Sequence, residues 1–224
     1  VDIDHSLSKS YRGGLTYAFA PKPKNIRPLQ KNKWLAKYKS LMLVRDFNFN
    51  TAPSQLSFST NIDREYSESL NRDITASDIY IQPTYEKTFN MSRLYNFKYD
   101  LTKSLSMDFN ADNESRILEP EGAIDTQEKR DSIERSFFNG GTNISYRHGT
   151  NVNYDIPIQK IPFLNFMTAN ARYSTNYDWL RAPFLHDSTT INSMGEHITN
   201  SIGNTIQNAK TLQLNGQLNM TTVY

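Results

Sequence analysis

The stretch that decides the fold is TNISYRHGTNVNYDIPIQKIPFLNFMTANARYSTNYDWL, residues 142–180. Its even positions run Thr142, Ile144, Tyr146, His148, Thr150, Val152, Tyr154, Ile156 and Ile158. The odd positions between them are Asn143, Ser145, Arg147, Gly149, Asn151, Asn153 and Asp155. This is a period of two, with one apolar or aromatic side and one polar side, as a β-strand requires. An amphipathic helix needs a period of 3.6 and is excluded. After a short turn at 159–162 the pattern resumes. Phe163, Met167, Ala169, Ala171, Tyr173, Thr175, Tyr177 and Trp179 take one side, and Thr168, Asn170, Arg172, Ser174, Asn176 and Asp178 the other. Ordinary globular strands have about five or six residues; these run past ten.

The same alternation extends outward. Tyr95, Phe97, Tyr99 and Leu101 oppose Asn96, Lys98 and Asp100. After a turn at 102–104, Leu105, Met107, Phe109 and Ala111 oppose Ser106, Asp108, Asn110 and Asp112. Leu212, Leu214, Gly216, Leu218, Met220 and Tyr224 alternate with Gln213, Asn215, Gln217, Asn219 and Thr221. Leu56, Phe58, Thr60 and Ile62 alternate with Ser57, Ser59, Asn61 and Asp63. Tyr11, Leu15, Tyr17 and Phe19 make a weaker first strand. The reading is an all-β meander of about seven long antiparallel strands. Connections alternate too, with short turns at 102–104 and 159–162 and long polar loops at 67–78, 118–140 and 180–204. Outer-membrane barrels alternate in this way, with short periplasmic turns and longer extracellular loops. The three long loops are therefore expected outside the cell.

Composition fits that class. The 224 residues are 37% hydrophobic with a net charge of only +2, yet they include 13 Tyr and 12 Phe. Disorder goes with few aromatics and high net charge, so it is excluded. No stretch reaches the roughly 20 apolar residues of a spanning helix. A transmembrane barrel tolerates this mean hydropathy of −0.66, because half of each strand faces water. Zero Cys removes disulfide frameworks, thiolate zinc sites and cysteine nucleophiles. Bacterial single-chain barrels use an even strand number from about eight upward, and an open edge in lipid leaves backbone groups unpaired. Seven strands, with a chain opening at Val1 and stopping at Tyr224, are therefore expected to be one arc of a larger barrel, residues 1–224 forming part of a single barrel domain.

Residues 21–45 break the rhythm. They hold Lys22, Lys24, Arg27, Lys31, Lys33, Lys37, Lys39 and Arg45 and no acidic residue. Trp34, Leu35, Tyr38, Leu41 and Met42 have helical spacing, which suggests a short amphipathic helix in a periplasmic insert, facing either lipid or another protein; the alternative is a basic loop covering the barrel rim. Nucleic acid is not expected, because a basic cluster alone is unspecific and the rest of the chain is nearly neutral. After Phe109, acidic residues outnumber basic ones up to Glu134, as in a solvated outer loop.

Enzyme chemistry finds little support. Asp108, Asn110 and Asp112 followed by Glu119 match part of the EF-hand spacing, but the flank alternates as a strand instead of entering as a helix. His5, His148, His186 and His197 lack metal-ligand spacing. No phosphate loop, dinucleotide glycine pattern or nucleophile elbow occurs. The triplets 90–92, 143–145 and 219–221 match a glycosylation acceptor but lie within strands. No catalytic residue, cofactor or metal is assigned. Residues expected to line a lumen are Asn96, Lys98, Asp100, Asp108, Asn110, Arg147, Asn151, Asn153, Asn170, Arg172, Asn176 and Asn215. Those expected to form aromatic girdles at the membrane surfaces are Tyr95, Tyr99, Tyr154, Phe163, Tyr177 and Trp179. The polar side has no single-sign charge ring of the kind that selects ions.

Several stretches resemble the SprA/Sov family, the giant outer-membrane translocon barrel of the Bacteroidota type IX secretion system. They are RDFNFNTAPSQLSFSTNIDR (45–64), YNFKYDLTKSLSMDFNA (95–111), DTQEKRDSIERS (125–136), IPIQKIPFLNFMTANARYSTNYDW (156–179) and GNTIQNAKTLQLNG (203–216). They cover somewhat under half the chain. The resemblance implies a fragment of a very large single-chain barrel in the bacterial outer membrane that exports folded cargo proteins, a route tied to gliding motility. It also implies a smaller outer-membrane barrel partner and a periplasmic plug protein, and no enzymatic activity. The rival expectations are an extracellular β-sandwich or adhesin-type binding module and a porin-like nutrient transporter.

Overall fold

The structure is a computed structural model that describes residues 3–38, 41–71, 81–161, 163–183 and 203–219. It is an all-β architecture. Seven strands form one open antiparallel sheet in simple meander order: β1 (Ile3–Phe19), β4 (Gln55–Asn71), β5 (Thr84–Asp100), β6 (Leu105–Arg116), β7 (Thr142–Ile156), β8 (Met167–Leu180) and β9 (Thr205–Leu218). Between β1 and β4 lies an insert holding β2 (Asn25–Ile26), α1 (Lys33–Lys37), α2 (Met42–Arg45) and β3 (Phe49–Asn50), with β2 paired to β3. A third helix, α3 (Gln127–Phe138), connects β6 to β7.

The strand ladder matches the sequence alternation, with boundaries that differ where polar residues hide the pattern. β4 continues to Asn71 instead of giving way to a loop at 67, because Ser67 and Leu70 pair with Ser8 and His5 of β1. β5 begins at Thr84, so Tyr95 sits within the strand instead of opening it. β9 starts at Thr205, while Met220 and Tyr224 lie outside the described residues. Phe163 does not open β8. Successive turn bonds (Ile161 N to Ile158 O, Leu164 N to Ile161 O, Met167 N to Leu164 O) use up the backbone donors there. Phe163 has φ +75° and is 90% exposed, and the strand begins at Met167. At 102–104 the Thr102 hydroxyl accepts from Ser104 N and Leu105 N, the local side-chain bonding that favours Thr in tight turns.

The acidic stretch after Phe109 is a docked helix, where the sequence suggested a solvated loop. Asp112 and Glu114 belong to β6, and α3 is capped by the Thr126 hydroxyl, which accepts from Lys129 N. It ends in a Schellman pattern: Gly140 N donates to Phe137 O and Gly141 N to Ser136 O. Both glycines have positive φ, and a Cβ on Gly141 would meet the Arg116 carbonyl at 2.9 Å. α3 places Ile133 and Phe137 against Phe89, Met91 and Ile117, forming a small core. Three cations hold the segment down. Arg64 Nε donates to Glu119 Oε1 at 2.6 Å, Lys87 Nζ to the carbonyls of Pro120 and Gly122, and Arg93 to the Gly140 carbonyl at 2.8 Å.

Elsewhere the sheet is open on both sides. The accessible surface is 16650 Å², against about 10,500 Å² for a compact monomer of this mass. Among the described residues only Leu35, Phe89, Met91, Ala111, Ile117 and Ile133 are buried hydrophobics.

The short-turn end is tied into one plate. Asn50 N donates to the Leu101 carbonyl and Lys103 N to Asn48 Oδ1, both at 2.9 Å, joining the insert to the β5–β6 turn. Lys160 Nζ reaches Asp46 Oδ2 at 3.0 Å and joins it to the β7–β8 turn. The hydrogen bond from Lys160, with another from Arg45, holds the Asp46 carboxyl below the ordinary carboxylate range despite burial. A lowered value means that the stabilisation is complete above the unfolded-state value and disappears as pH falls through the folded one.

Two outcomes are expected. Arg64→Met leaves the Glu119 carboxylate, 3% exposed, without its partner. It should cost about 3 kcal/mol, seen as at least a tenfold rise in protease cleavage within 118–126. The amide protection factors of residues 46–50 should be steady from pH 8 to 5 and fall only below about pH 4, with Asp46→Asn abolishing that step.

Candidate functional site: the two faces of the staggered sheet

The register decides which side chains share a face. Tyr17 pairs with Phe58, Phe58 with Tyr95, Tyr95 with Ala111, Ala111 with His148, and His148 with Tyr177. Directly opposed residues on antiparallel strands point to the same side, so this transverse row fixes the phase of six strands. The row ends on Asn208 of β9, whose neighbours in phase include Ile206, Leu212 and Leu214. Within the strands the apolar sets read from the sequence fall on this one face, except Thr142 and Ile144, which the register shift between Glu114 and Ser115 takes out of phase. All twelve polar residues assigned to a lumen fall on the other.

The polar face has ladders of its own. Asn96, Asn110, Gly149 and Asn176 stand in one row; Lys98, Asp108 and Asn151 in the next; Asp100, Asn153 and Arg172 in a third; Asn170 and Asn215 in a fourth. Gly149 lets the Asn110 and Asn176 carboxamides close in from both sides, since a Cβ there would meet their oxygens at 2.9 and 3.2 Å. Four ion pairs cross the strands on this face among the described residues. Arg12 pairs with Asp63 at 3.4 Å and Glu65 at 3.7 Å, Lys98 with Asp108 at 3.9 Å, and Arg147 with Asp112 at 3.6 Å. The Asp108, Asn110, Asp112 and Glu119 set is thereby dispersed. The first three lie along β6, while Glu119 bonds Arg64 on the opposite face.

Aromatic rings dominate the middle of the apolar face. Phe58 meets Tyr95 with ring centroids 5.1 Å apart, and His148 stacks on Tyr177 at 5.1 Å with Phe109 at 5.8 Å. A concavity of about 930 Å³ runs along this row, lined in part by Tyr17, Phe58, Tyr95, Phe109, Tyr146 and Tyr177. Tyr99 and Tyr154 sit near the short-turn ends of β5 and β7, and Tyr177 and Trp179 near the long-loop end of β8. Tyr95 is mid-strand, and Phe163 lies in the turn between β7 and β8 at the short-turn end. The face is not wholly apolar. Lys9 and Lys210 share its phase, and Arg64, Lys87 and Arg93 lie under the α3 segment. His148 Nδ1 is buried without a hydrogen-bond partner. His5 is exposed on β1, while His186 and His197 lie outside the described residues.

The strand ends are staggered in one direction. At the short-turn end Phe19 lies two residues past the common row at Tyr17. Asp100 lies five past Tyr95, Ile156 eight past His148, and Leu218 ten past Asn208. At the other end the offset shrinks, from fourteen residues (Ile3 before Tyr17) to three (Thr205 before Asn208). Shifts of eight residues at the short-turn end and eleven at the other over six strand-to-strand steps, at ~3.3 Å per residue and ~4.8 Å between strands, tilt the strands by about 40–50° when their ends are level. Barrel strands tilt by about 35–45°.

Residue chirality gives that stagger a hand. When an L-residue's side chain points at the viewer on an upward strand, its N–H and C=O point right. Phe89, on the apolar face, gives its carbonyl to Ile117 N beyond β6. Lys98, on the polar face, gives its carbonyl to Ser54 N beside β4. With the short turns downward and the apolar face in front, β5 runs down and successive strands therefore step to the left. Extension below the row grows in that direction, so level strands lean from lower left to upper right. The right-handed strand twist gives barrel strands this lean when seen from outside. A barrel closed from this sheet with level ends would carry the apolar face outward.

Sequence reading missed Arg64, Lys87, Arg93 and Glu119 as the anchors of α3. The available signal was three cations in the apolar phase of β4 and β5, together with Gly140-Gly141 ending a segment with Ile133 and Phe137 four apart. No helix among the described residues is long and apolar enough to cross a membrane, which leaves strands untouched by that criterion. No protein-family model matches the chain, and no curated protein matches it.

One outcome tests the polar face. Lys98→Glu sets two carboxylates opposite each other and should cost roughly 0.5–1 kcal/mol at low salt. The exchange of Lys98→Asp with Asp108→Lys should recover most of it, read as the shift in urea midpoint of the folded chain.

Proposed function

We propose that this chain is an arc of a very large outer-membrane β-barrel whose polar face lines a wide hydrated lumen for export of folded proteins. The observation that carries the reading is the stagger. Its size is close to the tilt of barrel strands, and its hand suits a barrel whose apolar face is outward, which supports the reading. Strands β7 and β8 have 15 and 14 residues. At a tilt of about 40° their apolar runs of some 11–13 residues project to roughly 27–32 Å, the thickness of a hydrocarbon core.

The step from barrel to protein export rests on the SprA/Sov resemblance and on the character of the polar face. Its Asn-rich rows carry charges of both signs and no single-sign ring of the kind that selects a small ion. They suit passage of bulky hydrated cargo, and they weigh against a selective porin or nutrient transporter. On this reading the partners are secreted cargo proteins, the smaller outer-membrane barrel and periplasmic plug that the family implies, and membrane lipid. The protein has no enzymatic role, cofactor or nucleic-acid partner.

A second reading, an exported β-sandwich binding module, draws on one observation. α3 already covers one end of the apolar face, as a second layer would, and leaves the aromatic concavity beside it. A photo-cross-linking residue in the full chain in living cells separates the two. At Asn151 and Asn176 it should capture an exported protein, while at Val152 and Tyr173 it should not. Capture of no exported protein at any of the four would remove the export reading. Equal capture at all four would remove the separation of faces on which it depends.

A further inference from the structure

The insert at the short-turn end presents unpaired cations and exposed apolar side chains, with Trp34 packed edge-on against Tyr38 and Phe47 beside Phe49. Lys22, Lys24, Arg27, Lys31 and Lys37 are exposed, and none of them makes an ion pair among the described residues. The nearest carboxylate in sequence, Asp46, is already engaged by Arg45 and Lys160. Among these cations stand exposed apolar side chains: Trp34 at 63%, Tyr38, Met42, Val44 and Phe47. Phe163, on the turn that Lys160 ties to the insert, is 90% exposed.

Position and rigidity make this arrangement a surface. The hydrogen bonds from Asn50 and Lys103 and the Lys160–Asp46 pair fix the base of the insert across the ends of β5 to β8. The Tyr99 hydroxyl, on the apolar face, donates to the Asn50 carbonyl at 2.8 Å, so the insert leaves the sheet beside that face. Protruding aromatic and aliphatic side chains ringed by free cations match a headgroup layer. The apolar groups enter the acyl boundary, and the cations remain among phosphates, where an anionic surface attracts them.

We propose that residues 22–38 and 41–49, with Phe163, form a docking surface for anionic phospholipid, holding the short-turn end of the sheet against the membrane. The inference rests on the barrel reading for which leaflet is met; its chemistry does not depend on it. Binding should weaken as salt rises and as anionic lipid is diluted.

The chain has two Trp, so Trp179→Tyr leaves Trp34 as sole reporter. The full chain is assembled in vesicles of phosphatidylglycerol or phosphatidylcholine carrying brominated acyl chains. A spin label at Val152→Cys in parallel samples reports separately whether the strands lie in lipid. Trp34 should be quenched at least threefold more in phosphatidylglycerol. Replacing Lys24, Arg27, Lys31 and Lys37 by Gln, or raising salt to 0.5 M, should remove the difference. Vesicle flotation of the unsubstituted chain gives the same comparison if Trp179→Tyr misfolds, with more than about tenfold weaker association expected after charge removal. Equal quenching in both lipids, or binding only to an acidic protein, overturns the inference. If Val152 is in lipid and Trp34 is not quenched, only the docking surface falls. If Trp34 is quenched selectively and Val152 is in water, the docking surface stands and the barrel reading falls.

Discussion

The structure depends on one constraint, the in-register antiparallel ladder that joins seven period-two strands. Because side chains alternate with a period of exactly two along the chain, slipping any strand by one residue would send its whole apolar set to the polar side. Tyr17, Phe58, Tyr95, Ala111, His148 and Tyr177 stay on one row because each neighbouring ladder keeps phase. The irregularity between Glu114 and Ser115 lies beyond that row toward the long-loop end. The β7 strand absorbs it at the site where α3 and its loop take over the face.

That ladder also creates a debt of surface. A sheet with few buried side chains and an exposed β1 and β9 does not resemble a self-sufficient globule. The hydrophobic effect stabilises a domain by roughly 25 cal/mol per Å² of apolar surface removed from water, and little is removed here outside the α3 core. Lipid on the apolar face, and further strands on the β1 and β9 edges, would satisfy both deficits. In a bilayer, unpaired edge groups cost several kcal/mol each, so an arc of this kind gains most from neighbours that continue the sheet.

How much was legible follows from which force dominates locally. The strands from Tyr95 to Trp179 were readable because alternation of aromatics with Asn and Ser is itself the physics of a two-faced sheet. The ends of β4 and β9 were not, since Ser67, Ser69 and Gln207 pair through backbone bonds that side-chain polarity does not report. α3 was hidden by charge: Glu128, Lys129, Arg130, Asp131 and Glu134 mask Ile133 and Phe137, the two residues that pack. Phe163 misled because it continues the odd-numbered phase while the backbone is still turning. The twelve polar-face residues were assigned correctly to one face from alternation alone. The stagger and its hand were not accessible in that way, because they exist only between strands.

The central claim is that even positions of β7 face lipid and odd positions face water. A nitroxide scan from Tyr146 to Asp155 in the full chain in membranes tests it, using oxygen as the apolar relaxant and a nickel chelate as the polar one. The expected result is a period-two oscillation, with oxygen accessibility high at Tyr146, Val152 and Tyr154 and nickel accessibility high at Arg147, Asn151 and Asn153. Low accessibility to both relaxants at the even positions, with nickel still reaching the odd ones, would mean a packed protein core and would contradict the account.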